Sequence, residues 1–216
     1  MCLVLTACST EGKGKPADGA ASAVPPSVSE FTPTEDNRDP TKKIDGVEEQ
    51  NYSAGDHVEG AERVAYDRVP PIGGSHDQMW ATCNGVVYPR AVRTEHMVHS
   101  LEHGAVWIAY DPERIKGDDV DVLAARVDGQ PYSIMSPYPG LPAPVSVQSW
   151  GRQLRVESAA DERIDQFMTA TRANPYLTPE PGATCDSVSP DLFDQDNQPA
   201  FNAEKPGPDA VPVTGR

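Results

Sequence analysis

The stretch RTEHMVHSLEHGAVWIAYDP, residues 93–112, joins a helix pattern directly to a strand pattern. Apolar side chains recur at helical spacing after Thr94, the predicted N-cap, and Gly104 follows as the usual residue for ending a helix. The run Ala105 to Tyr110 is typical of a buried strand, which Asp111-Pro112 ends. This segment predicts a helix packed against a central strand.

Apolar patterns on either side of this unit predict the remaining elements. Helical spacing recurs over residues 118–127 and 161–173, and alternation typical of strands over 132–136 and 145–150. Short extended pieces are expected between residues 57 and 88. This order predicts the α+β class, with a small mixed or antiparallel sheet packed with about three helices in a single domain.

Composition divides the chain into a domain and two polar ends. Residues 9–55 are rich in Ser, Pro, Gly, Asp and Lys, which predicts a flexible, disordered tether. Residues 56–185 carry the apolar patterns and form the predicted domain. Residues 186–216 are rich in Pro and Asp and predict an acidic surface tail that builds no core.

The charge balance excludes one class of partner. The chain has 18 Lys+Arg against 33 Asp+Glu, a formal net charge of -15, and such a surface repels the phosphates of nucleic acids. No apolar run reaches the ~18 residues that a membrane-spanning helix needs.

The first residues suggest a compartment. Leu5-Thr6-Ala7-Cys8 resembles a bacterial lipobox, although a basic region and a longer apolar region do not precede it. We interpret residues 1–8 as the remnant of a lipoprotein signal peptide, with lipid on Cys8 anchoring the domain at the extracytoplasmic face of the cell membrane. The alternative is a short apolar N-terminus with an incidental cysteine.

Two further cysteines, Cys83 and Cys185, lie about a hundred residues apart. In an exported protein two solitary cysteines usually pair, and such a bridge is worth about 4 to 5 kcal/mol in the chain-entropy model. The competing interpretation, two thiolate metal ligands, is weakened because no second Cys or His lies two to four residues from either.

Histidines supply the candidate chemistry. His96, His99 and His103 share one face of the predicted helix, and His99 and His103, one turn apart, can converge on one ion. His76, in a Gly-Gly-Ser-His loop, is a candidate third ligand. Alternatively, histidines at a helix end only interact with the helix dipole.

The segment from His99 to His103 also matches H-x-x-E-H, the zinc signature of the inverted zincin peptidases. Gly104 ends this helix at once, and the small core offers no clear helical Glu as third ligand. Glu102 is instead predicted to accept a hydrogen bond from an imidazole N–H and to fix its tautomer.

Several longer motifs resemble one family. They are Val69-Pro70-Pro71-Ile72-Gly73-Gly74-Ser75-His76-Asp77, Gly85-Val86-Val87-Tyr88, Val98 to Val106, Ser136 to Leu141 and Ser149-Trp150-Gly151-Arg152. Together they resemble the domain-of-unknown-function 3105 family, often exported or membrane-tethered proteins of actinobacteria and other bacteria. The resemblance implies no activity, but it implies that the histidine segments belong to one domain.

The metal is predicted from ligand softness. Met135, at the end of a predicted strand, could add a thioether to three imidazoles, which favours copper. Ordinary core packing is the alternative for Met135. His57 is another candidate fourth ligand, with which zinc or a solvent-open site becomes equally reasonable, and His96 is a further candidate.

The sequence therefore leaves three alternative functions. The first is a membrane-tethered protein that binds copper for storage, delivery or sensing. The second is a metal-dependent enzyme, either a hydrolase with Glu102 as base or a copper redox enzyme. The third is an accessory or interaction module of a cell-envelope complex, in which the histidines are structural.

Overall fold

The computed structural model describes residues 28–214 and confirms the predicted α+β class. Within that range the α-helices are Thr94–Glu102 (α1), Asp118–Ala124 (α2) and Arg163–Thr171 (α3), and two 3-10 helices span Val28–Phe31 and Pro40–Lys43. The strands are Val47–Glu49 (β1), His57–Val58 (β2), Val64–Ala65 (β3), His76–Asp77 (β4), Asn84–Val87 (β5), Val106–Tyr110 (β6), Ser133–Pro137 (β7), Val145–Ser149 (β8), Arg152–Val156 (β9) and Val211–Pro212 (β10).

Six strands form one mixed sheet in the order β1-β9-β8-β6-β7-β5. β7 runs parallel to β5 and β6, and the other neighbours are antiparallel. The apolar strand β6 lies inside the sheet, where Trp107 pairs with Ile134 on one side and Gln148 on the other. Two short pairs, β2 with β4 and β3 with β10, lie outside this sheet.

The sheet separates two apolar clusters, because successive side chains of a strand point to opposite faces. Val106 and Ile108 pack in the cluster that contains Phe167 of α3 and Leu123 of α2. Trp107 packs in the other cluster, which contains Met97, Val98 and Leu101 of α1. The helix that carries the histidines therefore covers one face of the sheet, and α2 and α3 cover the other.

Helix α1 begins one residue earlier than an N-cap at Thr94 predicts, and it ends before Gly104 as predicted. Thr94 is its first residue rather than its N-cap, and Arg93 occupies the cap position without a side-chain hydrogen bond. Gly104 follows with φ +98°, and a Cβ there would lie 2.9 Å from Oγ1 of Thr178. Glycine is therefore required both by the backbone conformation and by the close approach of the following chain.

The folded part begins earlier than the predicted boundary at residue 56. Phe31 and Ile44 are each 5% exposed and belong to the core on the α3 side. β1 pairs with β9 in antiparallel register, with Val47 opposite Leu154. Few but well-placed apolar residues attach this segment, so residues 28–55 are not a tether. Residues 1–27, with Cys8 and the predicted signal remnant, lie outside the described residues.

The predicted tail also packs on the domain. Phe193 is 1% exposed and its ring lies 6.4 Å from that of Tyr88, and β10 pairs with β3 in parallel register. The prediction that residues 186–216 build no core is corrected, because Phe193 packs beside α1 and Phe201 packs against Tyr138. Among residues 28–214 no helix is long and apolar enough to cross a membrane.

Candidate metal centre

Three secondary-structure elements bring histidines together on the α1 face of the sheet. β2 and β4 pair in parallel with His57 opposite His76, and α1 presents His99 beside them. The imidazole centroids are 4.8 Å apart for His76 and His99, 5.0 Å for His57 and His76, and 5.1 Å for His57 and His99. His76 and His99 are buried, and His57 is exposed.

These three imidazoles and the carboxylate of Glu102 form a cluster that could hold a metal ion, here called the metal centre. One ligand atom from each residue lies within 4.8 Å of the others. Nitrogen and carboxylate oxygen ligands on a largely buried site suit a divalent transition metal. The structure therefore brings together three predicted site residues, His57, His76 and His99, and adds Glu102.

Backbone carbonyls orient the two buried rings. His76 Nδ1 lies 2.8 Å from the Gly74 carbonyl oxygen, and His99 Nδ1 lies 2.7 Å from that of Asp77. A carbonyl oxygen only accepts, so each Nδ1 carries the proton and donates it. The lone pair of the neutral ring is then on Nε2, the arrangement that metal-ligating histidines usually show.

The loop before His76 depends on Gly74 for this contact. Gly74 has φ +89°, and a Cβ there would lie 2.4 Å from Cγ2 of Val213. A side chain at this position would displace the C-terminal segment or turn the carbonyl away from His76. The Gly-Gly-Ser-His motif thus orients a ligand through its backbone.

Glu102 lies at the closed end of the metal centre. Its Oε1 accepts a hydrogen bond of 2.7 Å from the Gly55 N–H, and its Oε2 lies 2.9 Å from His76 Nε2. The latter two atoms are buried, and neither has a well-directed hydrogen bond among the described residues. Because His76 donates through Nδ1, two acceptors face each other unless the two atoms share a proton or bind one metal ion.

The charge state of Glu102 follows from these contacts. Burial by itself raises the pKa of this carboxyl group. A proton between His76 Nε2 and the carboxylate, together with the Gly55 N–H, outweighs burial, so the net pKa is below the usual value and the group is a carboxylate. A buried carboxylate needs a cation close by.

The imidazole of His99 is neutral at ordinary pH. Burial, with the nearby His76 as a smaller cause, lowers the pKa of His99 to about 3. Burial also lowers the pKa of His103 and of His96. A neutral ring keeps its Nε2 lone pair free for a metal ion without competition from protons.

A second group shares His99 with the metal centre. It consists of His99, His103 and Glu180, whose ligand atoms also lie within 4.8 Å of one another. His103 donates from Nδ1 to the Thr184 carbonyl at 2.7 Å, and its Nε2 lies 3.5 Å from Glu180 Oε2. His103 is therefore a neighbour of the metal centre and not one of its four members.

The disulfide predicted between Cys83 and Cys185 is present. The Cys83 N–H also donates to the Cys185 carbonyl at 2.9 Å. Thr184, the residue before Cys185, supplies the carbonyl that holds His103. The bridge therefore fixes the segment that carries Glu180 beside α1.

Two predicted ligands lie elsewhere. Met135 is fully buried in the cluster on the α3 side of the sheet, so the sheet separates it from the histidines, and core packing accounts for it. His96 donates from Nδ1 to the Met79 carbonyl at 2.7 Å, and its Nε2 lies 3.4 Å from Arg93, a cation. Neither belongs to the metal centre.

The sequence did not predict three groups that bind or orient the histidines. Glu180 lies in an irregular segment with no motif, and the carbonyls of Gly74 and Asp77 have no sequence signal. Glu102 was predicted to accept from an imidazole N–H; backbone carbonyls accept from the Nδ1 side of His76 and His99, and the carboxylate lies 2.9 Å from His76 Nε2, among the ligand atoms. The H-x-x-E-H spacing did identify the helix segment that supplies both groups.

The fold and the buried His/Glu cluster define an α+β domain with a candidate metal centre. A family model described as protein of unknown function (DUF3105) matches residues 57–187, more than half of the chain, and the chain belongs to this family. The match includes every histidine and both bridged cysteines. Searches of curated proteins and of solved structures found no match.

Proposed function

We propose that this protein holds one divalent transition metal ion at the metal centre, bound by Nε2 of His76 and His99, an imidazole nitrogen of His57 and a carboxylate oxygen of Glu102. The observation that carries this proposal is the 2.9 Å approach of His76 Nε2 to Glu102 Oε2. Neither buried atom has a well-directed hydrogen-bond partner among residues 28–214. A metal ion bound by both atoms would satisfy both.

For the identity of the ion we propose copper as Cu(II), with zinc as the alternative. Imidazole ligands suit both ions, and among divalent first-row metals Cu(II) generally binds most tightly. Met135 lies across the sheet, so it cannot supply the thioether that would favour Cu(I). Three imidazoles with one carboxylate also make an ordinary four-coordinate zinc site.

The role we propose is binding, for storage, delivery or sensing, rather than hydrolysis. Glu102 has a lowered pKa and contacts both Gly55 and His76. A general base works best when its pKa is near the operating pH. A carboxylate with a lowered pKa is therefore a weak general base. A metal ligand, by contrast, must be deprotonated, and a lowered pKa favours that state.

We also propose that the domain lies outside the cytoplasmic membrane, anchored by lipid on Cys8. The Cys83–Cys185 bridge supports this location, because disulfides persist in oxidising compartments. A protein partner in the cell envelope would then receive or supply the ion.

Titration of the full chain with Cu(II), Zn(II) and Cu(I), combined with elemental analysis, tests the metal centre. We expect one tight equivalent in the wild type and its loss in His99→Asn, where the Asn amide can still donate to the Asp77 carbonyl. The matched control is His96→Asn, which changes a buried histidine of the same helix outside the metal centre and should keep the ion.

The proposal fails if the wild type binds none of these ions more tightly than micromolar. It also fails if His96→Asn loses the metal as completely as His99→Asn. In the first case the His76–Glu102 contact is an imidazolium–carboxylate ion pair, and the cluster is structural.

A further inference from the structure

The group of His99, His103 and Glu180 adjoins the metal centre and competes with it for one atom. His99 donates from Nδ1 to the Asp77 carbonyl, so Nε2 is its one free nitrogen. That nitrogen can bind an ion in the metal centre or an ion held with His103 and Glu180, but not both. The two groups are therefore alternative positions for one ion.

Their surroundings make the two positions unequal. The metal centre offers four ligands, of which His76, His99 and Glu102 are buried. The second group offers three, and the Glu180 side chain is 49% exposed. Fewer ligands and a solvated carboxylate give weaker binding, while an exposed negative charge is accessible to cations from solution.

We propose that His99, His103 and Glu180 form a transfer site, through which the metal ion enters and leaves the metal centre while it stays bound to His99. This inference rests on the proposed function. An ion that exchanges ligands one at a time avoids complete dissociation, which lowers the barrier to exchange. The Trp80 ring lies beside both histidines, with its centroid 4.7 Å from that of His103 and 5.5 Å from that of His99.

The transfer site has a consequence for stoichiometry and another for rates. Because His99 is shared, the chain binds one ion tightly rather than two. Removing Glu180 or His103 slows exchange in both directions and leaves the affinity of the metal centre unchanged.

The experiment uses the full chain loaded with one equivalent of Zn(II) or of Cu(II). Equilibrium affinity is measured by chelator competition. Loading and release rates are measured by stopped flow, release being started with excess 4-(2-pyridylazo)resorcinol for zinc or EDTA for copper. The variants are Glu180→Gln, at an exposed side chain, and His103→Asn, whose amide can still donate to Thr184. Glu113→Gln, at another exposed acid, is the control for the change in net charge.

We expect both variants to slow loading and release by about tenfold, the rate change for one lost interaction of about 1.4 kcal/mol on the exchange path. Affinity should stay within about twofold of the wild type, and Glu113→Gln should behave as the wild type. Unchanged rates would overturn the transfer site. So would a loss of affinity in Glu180→Gln, because Glu180 would then be a ligand of the resident ion. If the wild type binds neither ion, the proposed function itself fails.

Discussion

At the scale of single residues, every buried imidazole of this domain makes the same kind of bond. Nδ1 donates to a backbone carbonyl at 2.7 to 2.8 Å in each ring: His76, His96, His99 and His103. The rings differ in what faces Nε2, which is Arg93 for His96 and Glu180 for His103. Residue type supplies a ligand atom, and its surroundings decide whether a cation can reach it.

Glu102 is the residue whose charge the metal centre most needs. In Glu102→Gln the side-chain oxygen can still accept from Gly55, so we expect the fold to persist. Metal affinity should fall at least tenfold, because loss of even a supporting group of a metal site typically costs about 10–100-fold. Competition titration of Cu(II) and Zn(II) measures this.

A buried acid of the same helix provides the control for this prediction. Glu95 is 4% exposed and accepts a hydrogen bond from the Val64 N–H, outside the metal centre. Glu95→Gln should keep the wild-type metal affinity. Equal affinity in Glu102→Gln and the wild type would remove Glu102 from the ligand set.

At the scale of elements, ion pairs as well as apolar contacts hold the segment before β2 to the sheet, and the most buried of these pairs joins Asp39 to Arg152. Asp39 Oδ2 lies 2.8 Å from the Arg152 guanidinium of β9, and both side chains are about nine-tenths buried. Burial raises the pKa of Asp39, but its bonds with Thr41 and Arg152 outweigh burial, and the net pKa is below 3.8. This pair therefore links folding of the segment to pH.

Asp39→Asn should lower the free energy of unfolding by about 1.5 kcal/mol at pH 7, the usual worth of a hydrogen bond to a charged group. Because the folded-state pKa is lowered, the contribution is present above pH 3.8 and is lost as the pH falls through the folded-state pKa. Urea unfolding from pH 7 to pH 2 measures both effects.

The exposed Asp36 of the same segment provides the control, since Asp36→Asn removes an equal charge without this partner. The two variants should differ at pH 7 and converge in acid. A difference that stays constant down to pH 2 would show that the Asp39 charge is not responsible.

At the scale of the whole molecule, the disulfide joins parts of the chain that are 102 residues apart. Cys83→Ala/Cys185→Ala should lower the free energy of unfolding by about 4 to 5 kcal/mol, mainly because the unfolded chain regains the freedom of a long loop. Chemical unfolding of the oxidised wild type and the double variant measures this difference. A loss below about 1 kcal/mol would show that packing alone holds the two segments together.

Prediction from sequence succeeded where the signal is local. The strong periodicity of residues 93–112, with Gly104 as the end of the helix, predicted α1 and β6 close to the bounds that the structure shows. β9 was missed because its polar residues, such as Arg152 and Gln153, are buried through specific partners rather than by apolar patterning. The attachment of residues 28–55 was missed for a related reason, since isolated apolar residues carry no period.

By itself the sequence determined the fold class, the family, the cysteine pair and the helix that carries His99. Only the tertiary structure decided which side chains share a site. It placed Met135 across the sheet, His96 against Arg93, and Glu102 and His57 beside His76. The physical reason is that helix and strand patterns arise from neighbours along the chain, whereas ligand geometry depends on contacts between residues up to about a hundred positions apart and on backbone carbonyls that every residue has.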